Sequence, residues 1–203
     1  GALASTPEKA QRSGRALRLA AERIYDDYRT MATAEAARPD GIEAVAIVTP
    51  NHLHAPVATA FLEAGIHVIC DKPVTTTSKD AKKLQKLVAK TGLVFAVTHN
   101  YTGYPMVRHA RQMVKDGALG EIRVVQVEYP QDWLTEKLEA TGQKQAEWRA
   151  DPARNGIGGA VGDEVWGKIT SLCAEVPGSE QGSDGKSQRS HCCCRLEVNH
   201  RIA

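Results

Sequence analysis

Three short apolar runs punctuate the first half of the chain: Glu43-Ala-Val-Ala-Ile-Val-Thr49, Ile66-His-Val-Ile-Cys70 and Leu93-Val-Phe-Ala-Val-Thr98. Runs that are apolar on both faces predict strands sandwiched between two helical layers, as in a parallel sheet. Between them the spacing becomes helical. Leu53, Val57, Ala60, Phe61 and Ala64 form one stripe, with Gly65 placed to end the helix in the left-handed conformation. Leu84, Leu87 and Val88 form another, begun by Thr77 or Ser78 and closed by Gly92. Two further helices are predicted upstream, over 7–20 and 27–37. The order β-α-β-α-β implies an α/β fold with a doubly wound parallel sheet.

The pattern changes past residue 100. A helix is expected from about Tyr104, with Pro105 in its first turn, to just before Gly117. Over 120–129, Val125, Val127 and Tyr129 alternate with Gln126 and Glu128, the signature of a strand with one wetter face. It is expected to open a second, mostly antiparallel sheet. The polar stretch 130–155 reads as loop or short helices. Residues 177–191 carry Gly, Ser, Gln and charge and too little apolar surface to offset the entropy of ordering, which predicts disorder. The expected organisation is an incomplete Rossmann-type domain over 1–119, the start of an α+β domain over 120–163, and an aberrant, disordered tail over 164–203.

Charge narrows the partners. A net charge of +2, from 26 Lys+Arg against 24 Asp+Glu, leaves no footprint for nucleic acid or an anionic membrane. No apolar run reaches the roughly 18 residues of a membrane span. Of 5 cysteines only Cys70 precedes residue 170, so the body is expected to be cytoplasmic rather than disulfide-framed. His191, Cys192, Cys193, Cys194 and His200 lack the paired spacing of a zinc site, and no metal is expected.

In an open parallel sheet, ligands sit beyond the carboxyl ends of the strands. Three polar clusters fall there: Thr49-Pro50-Asn51-His52-Leu53-His54, Asp71-Lys72-Pro73 and His99-Asn100-Tyr101. Each has an ordinary structural explanation, Asn51 as a helix cap above all. Together they point to a site. The Lys72–Pro73 bond is a candidate for the cis form, which X–Pro bonds tolerate.

Thr49-Pro50-Asn51-x-x-His54, Asp71-Lys72-Pro73 and the run Gly158-Gly-Ala-Val-Gly-Asp163 resemble the Gfo/Idh/MocA oxidoreductases over about residues 1–163. The Lys-Pro element is the most diagnostic piece. The resemblance implies a Rossmann domain followed by an α+β domain, NAD or NADP as cofactor, and oxidation or reduction of a sugar, polyol or related carbonyl compound. It also implies a homo-oligomer for an intact relative. Lys72 and Asp163 take the catalytic positions, and Thr49, Pro50, Asn51, His54, Asp71, Lys72, Pro73 and Asn100 the cofactor side. Lysine suits that position because hydride transfer to or from a carbinol carbon builds charge on its oxygen.

The chain departs from that family pattern twice. The histidine expected four residues after Asp163 is Gly167, and no G-x-G-x-x-G precedes the three runs. Residues choosing between NAD and NADP would lie near Ser5, Thr6 and Arg12. The expectation is therefore a fragment of a dehydrogenase, incomplete at its start and altered after Asp163, and inactive if the missing histidine is essential; a tail with its own role is the alternative. Two rival functions remain: a non-catalytic Rossmann-like binding or assembly protein, and a flavodoxin-like or response-regulator module.

Overall fold

The computed structural model describes residues 1–122, 124–127, 138–156 and 193–196. The chain divides into two compact units, Gly1–Thr98 and His99–Ala203.

In the first unit, β1 (Ala2–Leu3) leads into α1 (Pro7–Ala16), β2 (Ile24–Tyr25) and α2 (Tyr28–Ala36). Then come β3 (Ala44–Ile47), α3 (His54–Glu63), β4 (His67–Cys70), α4 (Ser78–Thr91) and β5 (Phe95–Val97). All pairings are parallel: β1 with β2, and the three-stranded order β3-β4-β5. Sequence punctuation sets the boundaries. Thr77 caps α4 by accepting from the Asp80 N–H, and Gly92 ends it at φ 69°. Asp27 caps α2 through the Arg29 and Thr30 amides. Helix α1 stops earlier than its expected end at residue 20, because Leu17 closes it and Arg18 turns left-handed at φ 56°.

Helix α3 packs on β3 and β4, flanked by α2 and α4, while α1 covers β1 and β2. The core lies under α3, where Phe61, Leu62, Ile47 and Val68 are almost fully buried. Burying each such side chain stabilises the fold by roughly 1.5–3 kcal/mol. Gly14 permits close approach of α1, since a Cβ there would overlap the Ile24 side chain.

The expected burial on both faces is corrected. Along β3 exposed Ala44 and Ala46 alternate with buried Val45 and Ile47, and Val48 is 79% exposed. Ile69 and Val94 are exposed as well. The helices α2, α3 and α4 account for the buried face of this sheet, so the residues pointing away from them remain open.

The second unit holds α5 (Pro105–Lys115), β6 (Val124–Val127), α6 (Lys144–Ala150), α7 (Pro152–Asn155) and β7 (Cys193–Leu196). Helix α5 runs as expected, from Pro105 to a left-handed Gly117. Two expectations change. Residues 193–196 are a strand rather than disordered, and β6 pairs with them in parallel, not antiparallel. A strand edge offers unpaired N–H and C=O groups to any extended segment, and Cys193–Leu196 takes them. The run from Gly158 to Asp163, Trp133, Tyr129 and the rest of the tail lie outside the described residues. No helix among the described residues is long and apolar enough to cross a membrane.

Candidate functional site

Parallel register brings the strand ends together. Ile47 pairs with Cys70, so Thr49 and Lys72 each sit two residues past a matched pair on neighbouring strands. Cys70 pairs with Val97, which sets Asp71 beside Thr98. The ends are stitched by hydrogen bonds. Asp71 N–H donates to the Ile47 carbonyl at 2.9 Å and Thr98 N–H to the Cys70 carbonyl at 3.0 Å. Asp71 Oδ1 accepts from the Thr98 hydroxyl at 2.7 Å and from the Lys72 N–H at 2.9 Å. Lys72 and Pro73 are half-buried and joined by a cis peptide.

His54 is the keystone of the two loops. It is the first residue of α3 and fully buried. Its Nδ1 lies 2.6 Å from the Pro73 carbonyl oxygen and its Nε2 2.9 Å from that of Thr49. Carbonyl oxygens only accept, so a neutral ring donates to one of them and an imidazolium to both.

The roles expected of Asn51 and His54 therefore change. Neither lines an open crevice, since Asn51 is 2% and His54 0% exposed. Nor does Asn51 cap a helix: it starts a 3-10 turn, Asn51–Leu53, and neither that turn nor α3 has a side-chain cap. Pro50 precedes the turn in an extended conformation, half-buried. Thr49 supplies a different feature. Its Oγ1 is buried and has no hydrogen-bond partner among the described residues, and the same is true of His52 Nδ1. Asn100 is exposed and opens a 3-10 turn, Asn100–Gly103, in the second unit. Asp163 lies outside the described residues. Thr6 is occupied as the cap of α1, accepting from the Lys9 N–H.

Burial also governs Cys70. Its thiol is pushed up to about 12, first by desolvation and then by the charge of Asp71. It is a core group, not a nucleophile.

Two polar arrangements were not legible as such. One is the bond between Thr98 and Asp71, which parallel register alone could have found. The other is buried Glu35, which accepts from Arg23 Nε at 3.0 Å, the Tyr25 hydroxyl at 2.9 Å and the Ile42 N–H at 3.2 Å. Its position three and four residues after the buried pair Ala32 and Met31 was the available signal.

Residues 1–99 match the oxidoreductase family with an NAD-binding Rossmann fold, Gfo/Idh/MocA. Residues 107–165 match that family's C-terminal domain. The chain belongs to the Gfo/Idh/MocA oxidoreductases. This Gfo/Idh/MocA chain is 40% identical over 164 residues to the uncharacterized oxidoreductase YfiI of Bacillus subtilis, covering 80% of the chain and 42% of that protein. It is 35% identical over 159 residues to levoglucosan dehydrogenase of Pseudarthrobacter phenanthrenivorans, covering 78% and 37%. Among solved structures, an inositol dehydrogenase homolog complexed with NAD+ from Azotobacter vinelandii superposes with a TM-score of 0.76 at 35% identity, covering 84% of the chain and 44% of that structure. The chain thus spans less than half the length of the relatives it matches.

Proposed function

We propose that this chain carries the cofactor side of a site that transfers hydride between NAD or NADP and a sugar, polyol or related carbonyl compound. The observation that carries the reading is that a lysine, Lys72, and a buried hydroxyl without a partner among the described residues, Thr49 Oγ1, each lie two residues past the matched pair Ile47 and Cys70 at adjacent strand ends. A buried polar atom without a partner costs stability unless a ligand satisfies it. The polar groups at this end of the sheet suit the nicotinamide and ribose portion of such a cofactor, with Thr49, Pro50, Asp71, Lys72 and Pro73 as the residues to hold it. His54 supports that set through its contacts with the Pro73 and Thr49 carbonyl oxygens, and Asn51 is buried in the same loop as Thr49.

When bound, the nicotinamide ring supplies the hydride acceptor or donor. The chain's own residues handle the oxygen and its proton. Lys72 Nζ donates a hydrogen bond to the substrate oxygen and stabilises the charge that develops there. Asp71 holds the Lys72 backbone, because one carboxylate oxygen binds both the Lys72 N–H and Thr98. Asp163 takes the substrate-side acid/base place on the strength of its motif. Gly167, where the family places a histidine, cannot transfer a proton. That glycine favours a second reading, a protein that binds cofactor without turning it over. The relatives' names support the substrate class, one being a levoglucosan dehydrogenase and one solved structure an inositol dehydrogenase homolog with NADH and myo-inositol.

The test is calorimetric titration of the full chain with NADH and NADPH, followed by turnover assays on a panel of sugars and inositols. Binding with turnover that drops at least about 100-fold in Lys72→Ala supports the proposal. Binding without turnover supports the second reading. Absence of binding to either cofactor sinks both.

A further inference from the structure

We infer that His54 is a positioning residue for Lys72, acting through the backbone of both loops and not by contact with cofactor or substrate. The inference rests on the role proposed above for Lys72. Its grounds are geometric. The imidazole is fully buried, and its two nitrogens reach carbonyl oxygens on two different strand-end loops, Thr49 after β3 and Pro73 after β4. Nothing local demands a histidine there, because α3 begins without a side-chain cap. An apolar residue would fill the same volume, yet it could donate to neither carbonyl group.

The effect on Lys72 follows from where the bonds fall. Its own N–H is held by Asp71 Oδ1, and the carbonyl of the next residue lies 2.6 Å from His54 Nδ1, where it accepts the ring N–H when that nitrogen carries it. The backbone carrying the lysine is tied on both sides. A lysine side chain has four flexible methylenes, so Nζ can be aimed only if its Cα is fixed. The other ring nitrogen lies 2.9 Å from the Thr49 carbonyl oxygen, so one side chain sits between the two loops that carry the polar groups of the site. His54 thus converts two independent loops into one rigid edge, as a site needs for sub-ångström placement.

The experiment reads Lys72 directly and does not depend on turnover. The full chain, H54Q and H54L are treated with pyridoxal 5′-phosphate and borohydride, and labelling rates are obtained by peptide mapping. Lys79 and Lys86, exposed on α4, serve as internal references. The expected result for folded H54L is a change of at least about threefold in the Lys72 rate with both references unchanged. H54Q keeps a side-chain N–H and is expected to bring the rate back toward wild type. An unaltered Lys72 rate in folded H54L overturns the inference. If H54L does not fold, long-range 15N spectra of the wild type decide: a His54 ring N–H protected from solvent exchange supports the clamp, and freely exchanging ring nitrogens reject it. Failure of NADH binding in the wild type strikes the proposed function alone, because the labelling result stands without cofactor.

Discussion

The Thr98 hydroxyl donates to Asp71 Oδ1 at 2.7 Å, across the gap between β5 and β4 and 27 residues apart in sequence. The same oxygen accepts the Lys72 N–H, so the carboxylate couples the end of β5 to the loop that carries the lysine. Thr98→Val keeps the shape and removes the donor, and is expected to lower unfolding free energy by roughly 1 kcal/mol. Asp71→Asn is expected to cost less, because its amide oxygen can still accept both bonds. Urea midpoints of the two variants check the order, and equal losses would contradict it.

Acid sensitivity is expected to trace to Glu35. Burial pushes its carboxyl up, but hydrogen bonds from Arg23 and Tyr25 outweigh that and hold it below the usual carboxylate value. A folded value below the unfolded one means stability that is present above the ordinary carboxylate range and lost as pH falls through the folded value. Glu35→Gln is expected to be less stable at neutral pH by roughly 2 kcal/mol, with a flatter acid limb. Urea titrations from pH 7 down to pH 3 measure this, and parallel acid limbs in the two proteins would refute it.

Cys70 is expected to resist alkylation in the folded chain. With its thiol at about 12, the thiolate fraction at pH 8 is on the order of 1 in 10,000, and the side chain is fully buried besides. Iodoacetamide followed by peptide mapping should leave the Cys70 peptide unmodified in native buffer and modified in urea. Native labelling of that peptide would mean that the β3-β4-β5 core opens readily.

Arg18 adopts φ 56°, a conformation in which a Cβ crowds the following carbonyl. The turn exists because the Arg18 N–H bonds the Arg15 carbonyl and the Leu19 N–H bonds that of Gly14, closing α1. Glycine tolerates the conformation, so Arg18→Gly is expected to stabilise the chain by about 0.5–1 kcal/mol despite glycine's greater unfolded freedom. Thermal unfolding reads the sign, and a lowered Tm would show that the Arg18 side chain contributes more than its backbone costs.

Much of this architecture was legible along the chain. The β-branched runs at 43–49, 66–70 and 93–98 contain β3, β4 and β5, and Thr77 starts α4 while Gly65 and Gly92 close α3 and α4 as read. These are local decisions: a capping hydroxyl or a left-handed glycine acts on neighbours within four residues, and the chain order carries that information. The Thr-Pro-Asn-x-x-His and Lys-Pro elements likewise carried the family, which the matches over 1–99 and 107–165 bear out.

Other features depended on what each residue meets across the fold. Sequence spacing could not tell that His54 turns inward to two carbonyls, one of them 19 residues away, while Thr49 keeps an unsatisfied hydroxyl. Nor could it tell that the β3 strand buries one face only, or that Cys193–Leu196 supplies a parallel partner to β6. The alternation of polar and apolar residues determined which segments become strands and helices, because backbone geometry repeats every 2 or 3.6 residues. Which polar groups are buried, paired or left unsatisfied was decided only by the tertiary structure, because desolvation and hydrogen bonding depend on neighbours brought together from distant points of the chain.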